Sequence, residues 1–511
     1  MKLMRDSQTN QFRLGVVLNY IKLGLSSLIP IFYTPIMLRI LGQSEYGLYK
    51  LSSSLTSYLS LVSLGMGATL SRFIIKAREE SGKEAEERVF ALFIIIFRVI
   101  SIISLLVGFV LIHKCSSWYA AALSPEELSR MRILMLIMSV NISMSFLLAP
   151  YASIVSAHER YVFIQILGIL STLLIPIINL IVLFLGYASI GLATSSLIIQ
   201  LLIQFAYLYY SKHSLLLKPV YTKIKSQDLK QVFSFAFWVL LAEIVDKLYS
   251  ATDTALIGAV PDLGTGAVAV YNMGTVFSGI VFTVGLGIST LLSPRVNRMV
   301  FQGTTEEELT NYGIRIARIQ SLIICLLIGG FISFGRPFIY YYAGPDYNNS
   351  YLVAIMIMIP YIIPIIQNVF LNVVVAKNKH RFRSIVYLII AALNVLGSWI
   401  LIRKIGVVGA AAMTGIAMLL GQGIIMNWFY DNKIGLNVKR FWREISPTFL
   451  APSLLSFLFL IIGKWIDFYN LYVLLIGIIS FTLLYFVINW VLIMNQYERH
   501  LLDPIIKRFK H

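Results

Sequence analysis

The sequence predicts an all-α integral membrane protein, and three observations carry that reading. Hydrophobic residues make up 58% of the chain and charged residues only 13%, with a mean hydropathy of +0.80. A soluble globular chain carries about 25% charged residues, so there is too little polar side chain here to cover a water-facing surface. Apolar runs long enough to cross a bilayer, about 20 residues each, recur along the whole chain between short connections. The net charge of +18 comes from lysines and arginines that collect between those runs, as they do in cytoplasmic loops. In a soluble chain that charge would suggest nucleic acid; here it sets orientation.

Taken in order, the N-terminus is polar to Gln11 and apolar from Phe12 onward. That run exceeds a signal-peptide core of roughly 7–15 residues and shows no small-x-small cleavage site, so it reads as a retained first helix. The same ruler gives about 14 helices. They lie near 13–40, 46–73, 89–113, 131–154, 163–186, 190–210, 231–260, 267–292, 315–335, 351–375, 384–402, 407–429, 447–466 and 470–493. An even number of crossings puts both termini on one side. Basic residues mark that side: Lys76, Arg78, Lys83 and Arg88; Lys212, Lys218, Lys223, Lys225 and Lys230; Arg295 and Arg298; Lys377, Lys379, Arg381 and Arg383; Lys433, Lys439, Arg440 and Arg443. Both termini are therefore expected in the cytoplasm. The run from Lys76 to Arg88 reads as a solvated loop, His158-Glu159-Arg160 and Lys379-His380-Arg381 as helix starts anchored at anionic headgroups, and Lys507-Arg508-Phe509-Lys510 as a surface anchor.

The chain also repeats itself. Gly65-Met66-Gly67 pairs with Gly285-Leu286-Gly287, His158-Glu159-Arg160-Tyr161 with Lys379-His380-Arg381-Phe382, and Ile190-Gly191-Leu192-Ala193 with Val408-Gly409-Ala410-Ala411. All three share an offset of roughly 220 residues, as in a duplicated transporter half. The expected organisation is an N-lobe over 1–212 with helices 1–6, a cytoplasmic linker over 213–230, a C-lobe over 231–432 with helices 7–12, and helices 13–14 with a cytoplasmic tail over 433–511.

Several function classes fall away. Cys115 and Cys325 are far apart, no CxxC or HxxxH pattern occurs, and no metal site, disulfide framework or cofactor is expected. No Walker sequence or catalytic triad appears, so an ATP-driven pump is disfavoured. A polymerase or glycosyltransferase needs a sizeable outer loop, and the longest outer connection, Lys114 to Arg130, is short, with Glu126 and Glu127 as its acids. A non-enzyme is expected.

The stretch Leu41-Gly42-Gln43-Ser44-Glu45-Tyr46-Gly47-Leu48-Tyr49, with Ser63-Leu64-Gly65-Met66-Gly67 and Ser71-Arg72-Phe73, resembles the polysaccharide repeat-unit flippases of O-antigen and capsule synthesis. These belong to the multidrug/oligosaccharidyl-lipid/polysaccharide exporter superfamily. The resemblance is closest over the first 80 residues or so. It implies two six-helix bundles facing each other in a V around a cavity that opens to alternate sides, in the cell membrane. It also implies an undecaprenyl-pyrophosphate-linked oligosaccharide as substrate, with membrane lipids and polysaccharide-assembly enzymes as partners. The apparent helices 13 and 14 resemble the lipid II flippase branch and some capsule exporters. A drug-and-toxin antiporter, which shares the fold, is the nearest rival.

Charges inside spans are costly and mark cavities or partners. The first helix carries Asn19, Lys22, Ser26 and Pro30 on one face. Lys22 is too deep to reach the interface easily and offers a point charge suited to phosphate or an acidic sugar. A structural ion pair is the alternative. Lys50 could line the cavity or snorkel outward, and Arg98 could line it or bond backbone carbonyls. On the seventh helix Glu243, Asp246, Lys247, Ser250 and Asp253 share a face. Glu243 and Lys247 are spaced for an i,i+4 pair, leaving Asp246 and Asp253 as candidates to take up a proton or Na+. Tyr271 and Asn272, with Ser53, Ser57, Ser60, Thr275 and Ser278, offer neutral partners for a sugar, although small polar residues also serve close helix packing.

Overall fold

A computed structural model describes residues 2–222 and 226–500. The expected basic residues Lys223 and Lys225 and the tail Lys507-Arg508-Phe509-Lys510 lie outside the described residues. Every regular element among the described residues is helical. The chain divides into two compact units, Met1–Ala269 and Val270–His511.

The first unit contains α1 (Lys2–Ser57), a 3-10 turn (Tyr58–Ser63), α2 (Met66–Tyr119), α3 (Pro125–Ala157), α4 (Tyr161–Phe184), α5 (Ala188–His213), α6 (Ser226–Ser250) and α7 (Thr252–Ala259). Along the chain α8 (Gly264–Phe301) leads into the second unit. There follow α9 (Glu306–Ala343), α10 (Ser350–Ile366), α11 (Asn368–Ala376), α12 (His380–Ile405), α13 (Val407–Met418), α14 (Met426–Phe429), α15 (Val438–Ile445), α16 (Leu450–Ile462) and α17 (Leu471–Ile488).

Eleven of the described helices are long and apolar enough to cross a membrane, or twelve if the bent pair α10–α11 is one span. The reading of about 14 differs because the first two expected spans run together and the expected seventh, divided between α6 and α7, is not among the eleven. α1 carries the first expected span and the start of the second, broken only at Gly42, and α2 carries the end of the second and the third, broken at Gly82. Both glycines have positive φ with ψ near 180°, a region essentially reserved for glycine. The expected solvated loop from Lys76 to Arg88 is therefore helical on both sides of Gly82. Its glutamates and lysines are good helix formers, and Lys76–Glu80 and Glu84–Arg88 pair at i,i+4. His158, read as a headgroup anchor, instead meets Glu86 at 2.8 Å, and Arg78 donates to the Ala157 carbonyl.

Backbone turns repeat as the sequence motifs do. Positive-φ positions pair as Gly42 with Gly264, Gly82 with Gly303, Glu159 with Asn378, Gly186 with Gly406, and Leu216 with Gly435, at separations of 222, 221, 219, 220 and 219 residues. The junctions of the first six expected helices thus recur in the next six.

Within the first unit, the core gathers Met66, Leu70, Phe90, Phe93, Phe97, Ile154 and Ala236 from α2, α3 and α6. The segment 231–269, expected to open the second lobe, groups with this unit. Its bonds are specific: Ser54 donates to the Ala251 carbonyl at 2.7 Å and Tyr119 to that of Ala255 at 3.0 Å. Among the described residues, the second unit holds a core around Phe370, Tyr430 and Phe441 and another around Phe334, Phe459, Phe468 and Phe481. A buried ion pair joins them: Arg318 of α9 contacts Glu498 at 2.5 Å and donates to the carbonyls of Glu444 and Ile493.

Candidate functional site

α1 and α4 pack side by side in constant register. A methyl at Gly15 would meet Tyr161, a methyl at Gly168 would meet the Lys22 stem, and Asn179 donates to the Tyr33 hydroxyl at 3.1 Å, each pair 146 residues apart. Constant separation means parallel helices. Lys22 therefore lies across Gly168, its Nζ 3.3 Å from where a methyl there would stand. The missing side chain at Gly168 is what lets the four-carbon stem lie against the helix. Among the described residues no carboxylate comes within 4.0 Å of Lys22, so the ion-pair alternative finds no support there. The same register sets Asn19 level with Gln165, whose Oε1 is buried without a hydrogen bond. Sequence reading missed Gln165; a lone glutamine in an apolar helix, three residues before a glycine, was the available signal.

Lys50 sits half-buried with its Nζ 5.5 Å from the Tyr46 ring, so it packs on aromatics of its own helix. Arg98 is exposed on α2 within electrostatic reach of Tyr151.

Glu243 of α6 and Asp253 of α7 lie beside the 3-10 turn Tyr58–Ser63. Glu243 bonds Ser63 and senses Lys247, although no N···O contact within 4.0 Å forms between that pair among the described residues. Its Oε2 is buried without a hydrogen bond. Asp253, 2% exposed, stands in the first turn of α7 within electrostatic reach of Tyr58, whose hydroxyl meets that of Thr252 at 2.6 Å. A helix N-terminus favours a carboxylate there. Asp246 is exposed. In the second unit Tyr271 is 4% exposed and Asn272 half-buried. The ten expected residues thus fall into separate settings: Asn19 and Lys22 at α4, Glu243 and Asp253 at the 3-10 turn, Asp246 exposed and Lys247 half-buried on α6, Lys50 and Arg98 each in its own setting, and Tyr271 and Asn272 on α8. Three of the six expected sugar-path hydroxyls are turned onto their own helices, and the Ser60 Oγ is buried without a hydrogen bond. Ser57 donates to the Ser54 carbonyl, Thr275 to that of Asn272 and Ser278 to that of Gly274.

The nine-residue motif from Leu41 to Tyr49 is a joint. Glu45 accepts from Ser189 at 2.5 Å and pairs with Arg130 at 3.0 Å. Glu127 accepts from Ser44, Thr265 and Ser124, all near 3.0 Å. A methyl at Gly47 would overlap the Thr265 carbonyl. These bonds tie the starts of α3, α5 and α8 to the bend at Gly42. Ser124 and Glu127 also form a reciprocal capping box that opens α3.

A family model described as polysaccharide biosynthesis protein matches residues 15–300, more than half the chain. The chain belongs to that family. This family member is 22% identical over 463 residues to the uncharacterized membrane protein EpsK of Bacillus subtilis (strain 168), covering 85% of this chain and 86% of that one. Its fold is similar to that of the lipid II flippase MurJ in an inward closed conformation, with a TM-score of 0.70 at 16% identity over 94% of this chain and all of that one. It is also similar to an inward-facing MATE-family multidrug transporter, with a TM-score of 0.62 at 11% identity, covering 83% of this chain and 99% of that one. The family member is a multi-pass membrane protein with the fold of these flippases and transporters.

Proposed function

We propose that this protein is an alternating-access flippase that moves an undecaprenyl-pyrophosphate-linked oligosaccharide from the cytoplasmic to the outer leaflet for surface polysaccharide synthesis. Family membership supports the polysaccharide pathway, and the MurJ-like fold supports a lipid-linked cargo. The observation that carries the reading is Lys22: a cation inside the first span, laid on Gly168 with no carboxylate within 4.0 Å among the described residues. Such a charge is expensive in a membrane unless an anion visits it, and pyrophosphate is such an anion. Asn19 and Gln165 at the same level add neutral partners for a sugar.

The acids Glu243 and Asp253, set against the 3-10 turn, are the proposed coupling groups for H+ or Na+. Their place beside an interrupted helix suits a group whose charge changes as the helix rearranges.

The test is the sidedness of lipid-linked oligosaccharide in a deletion strain, read with a membrane-impermeant label. Accumulation on the cytoplasmic face with loss of surface polysaccharide is the expected result. Normal outer-face glycan with new sensitivity to cationic toxins would overturn it in favour of an antiporter.

A further inference from the structure

A second cluster of positive charge lies in the second unit. It lines a cavity of about 450 Å³ formed by the last turns of α9, Tyr351 at the start of α10, and the connection between α16 and α17. Arg336 and Lys464 both line it and both are exposed. Neither has a carboxylate within 4.0 Å among the described residues. Asp467, the acid in the wall, is engaged by the Tyr469 N–H at 2.9 Å. Two cations against one acid leave the cavity positive.

The walls fix these groups. The Arg336 guanidinium lies 5.1 Å from the Tyr351 ring centroid, a contact to its face that leaves its N–H edge for an oxyanion. The Tyr341 hydroxyl donates to the Tyr469 carbonyl, closing the loop over α9. Arg336 is seven residues from the end of α9 at Ala343, about 10 Å along a helix. The rim carries Trp465 at 86% exposure and Tyr469 at 45%. Exposed Trp and Tyr at a helix end mark the membrane–water interface. A fixed guanidinium, an ammonium and an aromatic rim at headgroup depth match a phosphate that is attached to lipid.

We infer that this cavity binds the phosphate of a lipid headgroup, with Arg336 and Lys464 as its ligands. The chemistry is a phosphate ester or anhydride carrying hydrocarbon tails. An acidic phospholipid of the bilayer and a polyprenyl pyrophosphate both supply it. The inference does not depend on the flippase reading, because either lipid fits the same two cations.

The full-length protein, wild type and Arg336→Gln/Lys464→Gln, would be purified from vesicles of equal phosphatidylcholine and phosphatidylglycerol, and retained lipid counted by native mass spectrometry. Both side chains are exposed, so the double variant should fold; its melting temperature checks this. Wild type should retain phosphatidylglycerol over phosphatidylcholine by about tenfold, the size of one charge-assisted contact, and the double variant should lose that preference. Equal retention of the two lipids by wild type, or an unchanged preference in the double variant, would overturn the inference. Adding undecaprenyl pyrophosphate separates the sources. Displacement of phosphatidylglycerol in the wild type assigns the cavity to a polyprenyl lipid, and failure to displace assigns it to resident phospholipid. A double variant that loses lipid but still transports would leave the proposed function standing by itself.

Discussion

At the scale of single residues, Lys22 was legible in the sequence and its setting was not. A lysine ten residues inside an apolar run announces itself by cost. Its perch on Gly168 depends on a register between α1 and α4 that no local pattern encodes. Losing a hydrogen bond to a charged group costs about 1.5–3 kcal/mol, roughly 10- to 100-fold in binding. Lys22→Ala should therefore cut surface polysaccharide severely at unchanged protein level, while Lys22→Arg retains part of it. Gly168→Val should act like Lys22→Ala, because its side chain occupies the space of the lysine stem. Wild-type polysaccharide in both Lys22→Ala and Gly168→Val cells would remove Lys22 from the path. Lys50, for which lining and snorkelling both stood open, has its Nζ 5.5 Å from the Tyr46 ring of its own helix. Periodicity names a face and does not say what stands across from it.

At the scale of elements, helix existence was written plainly in hydropathy, and helix ends were not. The breaks at Gly42 and Gly82 join spans that a hydropathy window separates, because a glycine can redirect a helix without any polar loop. Gly65 is the sharpest case. It is left-handed at φ 69, and a methyl there would come within 2.5 Å of the Val239 Cβ. Gly65→Ala combines a left-handed cost of about 1–2 kcal/mol with overpacking of about 1–3 kcal/mol. It should lower the melting temperature of the detergent-solubilised protein clearly. Gly67→Ala, with open space around it, should change it little. Equal melting of the two variants would mean that α6 does not press on this turn. Arg318 and Glu498 give a second test. Removing one partner of a buried pair costs about 3–5 kcal/mol, while replacing both by apolar residues is often neutral. Arg318→Met and Glu498→Leu should each destabilise strongly and the double variant should recover most of the loss; additive losses would show that the carbonyls of Glu444 and Ile493, not Glu498, hold Arg318.

At the scale of the whole molecule, composition alone separated this chain from soluble proteins, and the internal offset of roughly 220 residues anticipated the repeated turns. How segment 231–269 packs was not legible, since contacts such as Ser54 to Ala251 join residues 197 apart. Charge asymmetry predicts which ends face the cytoplasm, and labelling checks it. Cys115 and Cys325 are both buried, so background is low. A cysteine at Trp465 should react with an impermeant maleimide in intact cells, and one at Asn378 only after permeabilisation. The reverse pattern would invert the topology.

The recurring positive-φ junctions carry a consequence for how this chain tolerates change over generations. Gly42, Gly82, Gly186 and Gly303 have no atom near enough to object to a methyl; only the backbone angle asks for glycine. The neighbours of Gly82, Gly186 and Gly303 are free to drift as long as the backbone keeps its turn, whereas Gly42 stands beside the joint of Ser44, Glu45 and Gly47. A saturation library selected for surface polysaccharide should show isolated intolerant columns at Gly82, Gly186 and Gly303, and a block of intolerant columns from Gly42 to Gly47. What the two halves inherited from a common ancestor would then be a schedule of reversals more than a set of side chains.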